Sequence, residues 1–242
     1  MKVALITGST HGMGLAIAEK LGLEGITVII SSRKEENSLR AEQILKENNI
    51  KYDYFMCNFD IREQRLQLHE FIKNKYGKLD YLISTVSVRP FIGGALSISE
   101  NEFDKIFKTN VKNTFFTIID FLDLIKKGTD RSIVIVSSHS GYSPFPYLGV
   151  SSTSRTATFS MTKLLAEELA KFKIRVNCIA PGIIQTRMTS SNIFNKYAEN
   201  NFLRRTAMPH EVAGLAALLC STESSFITGE VISVNGGSRA RL

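Results

Sequence analysis

The chain has 242 residues, 43% of them hydrophobic and 22% charged, with only five prolines, a balance that excludes a disordered protein and suits one large core. Thirty basic against 23 acidic residues leave a net charge of +7, but the excess is scattered in pairs such as Arg33-Lys34, Lys126-Lys127 and Arg204-Arg205, which speaks against a nucleic-acid surface and suits a basic pocket for a small anion. No window reaches the ~18 consecutive apolar residues of a membrane-spanning helix, and the first apolar stretch breaks at Thr7-Gly8-Ser9, so neither a membrane partner nor a secretory leader is expected.

Short β-branched runs predict strands at Val3 to Thr7, Thr27 to Ser31, Tyr52 to Cys57, Leu79 to Ser84, Ser132 to Ser137, Ile174 to Ile179 and Val231 to Val234. Between them apolar residues recur at helical spacing, as in Leu15, Ala18 and Leu21, or Phe159, Leu165 and Leu169. Near-continuous apolar strands alternating with helices call for a parallel sheet covered on both faces, a doubly wound α/β fold. A single domain over 1–242 is expected, with a polar lid-like insertion at about 186–205 and a free tail at 238–242. Cys57, Cys178 and Cys220 stand far apart without metal-ligand spacing and read as buried thiols; no metal site is expected.

The first strand runs straight into Gly8-Ser9-Thr10-His11-Gly12-Met13-Gly14 and then a helix. Glycines in such a turn let backbone approach a pyrophosphate, and the helix N-terminus offers free N–H groups to the anion. The second strand ends Ser31-Ser32-Arg33-Lys34, where a site for NAD would present a carboxylate to the adenosine ribose. Arg33 and Lys34 suit a 2′-phosphate instead, with a hydroxyl hydrogen bond from Ser32, so the expected coenzyme is NADP(H). His11, if protonated, would reinforce the same phosphate site.

The chain resembles the short-chain dehydrogenase/reductase family over nearly its whole length. The resemblance rests on the Thr7 to Gly14 turn, Thr109-Asn110-Val111, Ser138 after Ile133 to Ser137, Arg175-Val176-Asn177, Pro181-Gly182 with Thr186, and Ile227 to Glu230 before Asn235-Gly236-Gly237. Ser31 to Lys34, Arg89-Pro90-Phe91, Asn110-Val111-Lys112, Leu219-Cys220-Ser221 and the final Arg241-Leu242 are similar to the peroxisomal NADP-dependent carbonyl and retinal reductases of that family. The resemblance implies a Rossmann-type seven-stranded sheet, a homotetramer, and hydride transfer between a nicotinamide and a small apolar carbonyl or alcohol. It also implies roles for particular residues. Ser138 would position the substrate oxygen and Asn110 would anchor a relay water. Asn58 and Phe59 would flank adenine, Thr85 would lie near its ribose, and Pro181, Gly182, Ile184 and Thr186 would face the nicotinamide.

The family places a tyrosine and a lysine as YxxxK after its serine; counting thirteen residues on from Ser138 lands on Ser151, and Arg155 takes the lysine position. A phenol titrates near ~10 and a neighbouring cation lowers that, whereas an aliphatic hydroxyl titrates far higher and makes a poor general acid. Arg155 still suits a ribose contact. The turn Ser84-Thr85-Val86-Ser87 likewise departs from the family's NNAG. Two readings follow: a reductase with impaired or altered proton transfer, and a non-catalytic NADP(H)-binding sensor or subunit. A lyase or isomerase finds no positive signature. Tyr147, Tyr142 and His139 are candidates for a displaced proton donor, although strand alternation turns His139 away from Ser138. Phe91, Ile92, Tyr142, Phe145, Tyr147, Ile193 and Phe194 suggest an apolar substrate pocket. The Ala240-Arg241-Leu242 ending fits a peroxisomal import address, with the import receptor as partner and the cytoplasm as the location if it is not read.

Overall fold

The computed structural model describes residues 1–88, 91–145, 147–187, 189 and 201–238. Seven strands, β1 (Val3–Thr7), β2 (Thr27–Ser32), β3 (Tyr52–Met56), β4 (Tyr81–Ser84), β5 (Ser132–Val136), β6 (Arg175–Pro181) and β7 (Val231–Val234), lie within two residues of the expected runs at every end. All pair in parallel, in the order β3-β2-β1-β4-β5-β6-β7. This is a Rossmann-type doubly wound sheet. The chain starts in the middle, runs out to β3 and returns to pair β4 with β1, so the direction of winding reverses between β1 and β4. Loops leaving the carboxyl ends of those two strands diverge there and open a crevice.

The strand sequences explain the burial. Parallel strands joined by helices are covered on both faces, and β1, β2, β4 and β5 are buried at every position. Alternation sends Val3 and Leu5 into one core and Ala4 and Ile6 into the other. The first core is closed by α3 (Arg62–Tyr76), α5 (Asn113–Asp120) and α7 (Gly149–Ala170), through residues such as Leu68, Ile118 and Phe159. The second is closed by α1 (Gly12–Leu23), α2 (Ser38–Glu47) and α8 (Pro209–Cys220), through Ile17, Ala41 and Val212. Helix α4 (Glu100–Phe107) precedes α5, and a short α6 (Leu122–Ile125) follows it. The three cysteines are free and buried, as their apolar flanks imply.

At the amino ends of the central strands Asp80 carries an unusual burden. Its carboxylate has no solvent exposure, accepts hydrogen bonds from the Val3 N–H (2.8 Å) and the Thr129 N–H (2.6 Å), and pairs with Lys78 at 3.0 Å. One side chain thereby joins β1, β4 and the turn before β5.

Candidate functional site

The carboxyl ends of β1, β4, β5 and β6 bring together four loops that the sequence separates widely. After β1, Gly8 and Gly12 adopt positive φ (63° and 55°), a conformation glycine enters without steric cost. At Gly14 a Cβ would lie 2.6 Å from the Gly8 carbonyl oxygen and 2.8 Å from Thr85 Oγ1. Only hydrogen fits there, which lets α1 start hard against the turn. Helix α1 has no side-chain cap from His11 and no acidic residue in its first turn, so its free N–H groups and positive dipole end are available to an anion.

Neighbouring loops hold the turn in place. Ser9 Oγ accepts from the Ser31 N–H at 2.8 Å and donates to the Ile6 carbonyl at 2.6 Å, tying the turn to β2. Thr7 Oγ1 accepts from the Thr85 N–H at 3.0 Å, and the Thr85 hydroxyl donates to the Thr7 carbonyl. Thr85 therefore retains a structural part of the family's asparagine-rich turn while offering no amide. Thr186 lies across the crevice, its Cγ2 3.2 Å from where a Gly12 Cβ would be. Gly182 is pinned to β7 by its N–H to the Val234 carbonyl (2.9 Å), and Ile184 is buried. Met13 is half-buried and Thr10 buried, with Thr10 Oγ1 3.0 Å from His11 Nδ1.

The basic end of the crevice differs in detail from expectation. Arg33 is exposed. The Ser32 hydroxyl is already committed: it donates to the Lys34 carbonyl at 2.6 Å, and Lys34 Nζ pairs with Glu36 at 3.3 Å. Burial pushes the His11 pKa below its usual value, and the charges of Arg187 and Arg40 push it further the same way. The imidazole is neutral near pH 7, so the positive charge at this end comes from arginines. Arg40 and Arg187 escaped the sequence reading because they stand outside the turn motifs, on α2 and in the loop after β6. The Phe59 ring is packed into the first core with Leu68 and Ile72 and its carbonyl accepts from Arg65 at 2.7 Å, while the Asn58 side-chain oxygen accepts from the Asp60 N–H at 3.1 Å.

On the other side, the chain makes a wide π turn at Lys108–Lys112 between α4 and α5, and Asn110 sits inside it, 1% exposed. Such a turn is a frequent device for aiming a functional side chain out of a helix. The Asn110 amide donates to Ser154 Oγ at 2.9 Å, and its oxygen accepts from the Val88 N–H at 3.4 Å. Ser154 Oγ donates in turn to the Ser151 carbonyl at 2.6 Å. Asn110, the loop after β4 and the start of α7 are thus one connected unit, in which Ser154 was not foreseen. Ser138, half-buried after β5, accepts from the Ser140 N–H at 3.2 Å.

Ser151 and Arg155 lie one turn apart on α7, each only 9% exposed, and so share a face of the helix. Burial lowers the Arg155 pKa to about 10, which leaves the guanidinium charged at neutral pH. The candidates for a substitute proton donor are placed elsewhere. The His139 ring packs toward β7, 3.2 Å from Asn235 Nδ2, consistent with the alternation argument. The Tyr142 hydroxyl donates to the Val231 carbonyl at 3.0 Å while its ring rests on Phe159. Tyr147 has left-handed backbone geometry (φ 68°) and is 58% exposed. A tight recess beside the start of α7, with no room for a water molecule, is lined by Phe91, Ala95, Ile98, Ile106, Val150 and Ser151. Of the expected pocket residues Phe91 lines it, whereas Ile193 and Phe194 lie outside the described residues, as do most of the 186–205 insertion and all of the tail beyond Ser238. No helix among the described residues is long and apolar enough to cross a membrane, and no cluster of metal-ligating side chains occurs among them.

A glycine turn at the winding reversal, with an uncapped helix behind it, defines a dinucleotide-binding α/β protein. The sequence model for the enoyl-(acyl carrier protein) reductase family matches residues 8–239. "Dehydrogenase/reductase SDR family member 4" of Sus scrofa is 39% identical over 246 aligned residues, covering all of this chain and 88% of that protein. The Homo sapiens protein of the same name is 37% identical with the same coverage, and "Tropinone reductase-like 3" of Erythroxylum coca is 37% identical, with 94% of its length covered. Among solved structures, a short-chain type dehydrogenase/reductase from Mycobacterium ulcerans superimposes with a TM-score of 0.92 at 25% identity, over 98% of this chain and 89% of that one. A variant of actinorhodin polyketide ketoreductase solved with NADPH gives 0.91 at 27% identity, over 97% and 96%. The chain belongs to the short-chain dehydrogenase/reductase family, whose members are oxidoreductases that bind a nicotinamide coenzyme.

Proposed function

We propose that this protein binds NADP(H) and reduces a small apolar carbonyl, or oxidises the corresponding alcohol, slowly, because its proton-transfer pair is altered. The observation that carries this reading is the convergence of the glycine turn, Asn110, Ser138 and the start of α7 at one edge of the sheet, with Ser151 and Arg155 read as standing at the family's tyrosine and lysine positions. The cradle fits the coenzyme: a Cβ at Gly14 would close it, and the α1 N-terminus is left for a phosphate. Bound there, the coenzyme supplies or accepts a hydride at carbon.

The chain's own residues divide the remaining work. Arg33, Arg40 and Arg187 supply positive charge for phosphate, and Arg155 donates to ribose hydroxyls. Ser138 donates a hydrogen bond to the substrate oxygen, and the Asn110–Ser154 contact keeps α7 in register with the loop after β4. General acid catalysis typically supplies ~10² to 10⁴-fold, so orientation alone sustains a slow reaction.

The test is a fluorescence titration with NADPH followed by turnover assays on a panel of ketones and aldehydes. Binding with slow turnover supports this reading; binding without any turnover supports a non-catalytic NADP(H)-binding protein, which the Ser151/Arg155 pair also favours. Coenzyme choice has its own check. Arg33→Ala is expected to weaken NADPH binding about tenfold, the order lost with one charge-assisted phosphate contact, while NADH affinity stays where it was.

The same reading includes a homotetramer formed through the outer faces of α5 and α7, where Phe116, Ile119 and Leu164 are 42%, 42% and 50% exposed. Light scattering of the purified chain would decide it. It also includes peroxisomal import through Ala240-Arg241-Leu242, tested by comparing fluorescent fusions that display or mask that tripeptide.

A further inference from the structure

Arg155 is a buried cation with no counter-charge among the described residues. It lies in the second turn of α7 and is nine-tenths buried. It shares a helix face with Ser151, which lies one turn nearer the N-terminus, the end where the dipole is positive. That end has no side-chain cap and no acidic residue in its first turn. Among the described residues no hydrogen bond and no carboxylate reaches the guanidinium. Cys178 is the titratable group that faces it, and burial holds that thiol protonated, with a pKa of about 12. Ser151 cannot ionise either. A tyrosine at position 151 could balance a neighbouring cation by losing its proton; a hydroxymethyl group cannot.

Removing a lone charge from water is costly, and the cost grows when a second charge of the same sign enters the site. The oxidised nicotinamide ring carries a positive charge, whereas the reduced ring is neutral. We propose that this cleft selects the redox state of its coenzyme, taking NADPH in preference to NADP⁺, because Arg155 contributes an uncompensated positive charge to its wall. The inference rests on the reading above that the α7 face bearing Ser151 and Arg155 meets the nicotinamide half of the coenzyme. It extends that reading to a protein responsive to the NADPH/NADP⁺ ratio even when turnover is slow.

The experiment is a pair of equilibrium titrations by calorimetry, NADPH and NADP⁺ against the purified full chain. NADPH is expected to bind at least about tenfold more tightly, the order expected of two unit charges sharing a partly desolvated site. Arg155→Lys should keep the ratio and Arg155→Gln should bring it toward one. Ser151→Asp is an independent arm, since a carboxylate one turn before Arg155 supplies the missing counter-charge and should also collapse the preference. Circular dichroism confirms that each variant is folded. Equal affinities in the unaltered chain overturn the proposal, as does a ratio that survives both Arg155→Gln and Ser151→Asp. Failure of both coenzyme forms to bind would instead sink the coenzyme reading itself, and this inference with it.

Discussion

Ser151→Tyr combined with Arg155→Lys should raise ketone reduction by at least about tenfold in a chain that still binds NADPH. The expectation rests on proton supply. An aliphatic hydroxyl holds its proton at any ordinary pH, whereas a phenol starts near ~10 and is brought closer to neutrality by an adjacent ammonium. The surroundings are prepared for the exchange. Asn110 is held by Ser154, and Ser154 by the Ser151 carbonyl, and these contacts involve neither of the replaced side chains. Lysine also relieves the burial of a bulky guanidinium with a compact charge on a flexible stem. The measurement is the rate at saturating NADPH across a carbonyl panel, with the single variants alongside. Tyrosine alone should recover less than the pair, because the phenol then lacks an ammonium to lower its pKa. No rise in any variant would remove a proton-transfer defect as the cause of slow turnover and leave binding as the purpose of the cleft.

Asp80→Ala should cost about 3 to 5 kcal/mol of stability, because it removes one partner of a buried charged network and strands the others. The Val3 N–H loses its acceptor in a place water does not reach, the Thr129 N–H loses one in an exposed turn, and Lys78 loses its counter-charge. At about 2 to 4 °C per kcal/mol for a chain of this size, the thermal midpoint should fall by roughly 10 °C. Asp80→Asn should recover only part of the loss, since an amide keeps one acceptor oxygen and turns a donor toward the other N–H. Thermal unfolding followed by circular dichroism reads both. A change of less than about 1 kcal/mol for alanine would show that the three elements joined by Asp80 are held by packing alone.

Where this chain was legible as a string, local periodicity did the informing. Seven short runs between helical patterns became seven parallel strands; the four central ones were plainest, because burial on both faces demands apolar residues at nearly every position and this is visible without a partner. The turn from Gly8 to Gly14 was equally legible, since glycine spacing records where backbone must pass close to backbone. The proposal that Ser151 and Arg155 stand at the family's tyrosine and lysine positions likewise rests on counting along the sequence.

Partnerships across the fold could not be read that way. Whether Ser32 keeps its hydroxyl free depends on how the chain bends at Lys34, and it does not. His11 is neutral because burial and two arginines from distant segments converge on it. Tyr142 spends its hydroxyl on the backbone of β7, eighty-nine residues away, and His139 packs against Asn235. Ser154 enters the site through Asn110, on a helix more than forty residues earlier. A residue's type is written in the sequence, but the desolvation and charge it experiences come from neighbours that only folding supplies. For this protein the sequence alone settled the fold and the family. The tertiary structure alone decided that Arg155 is buried with no counter-charge among the described residues, since that depends on neighbours that only folding brings together.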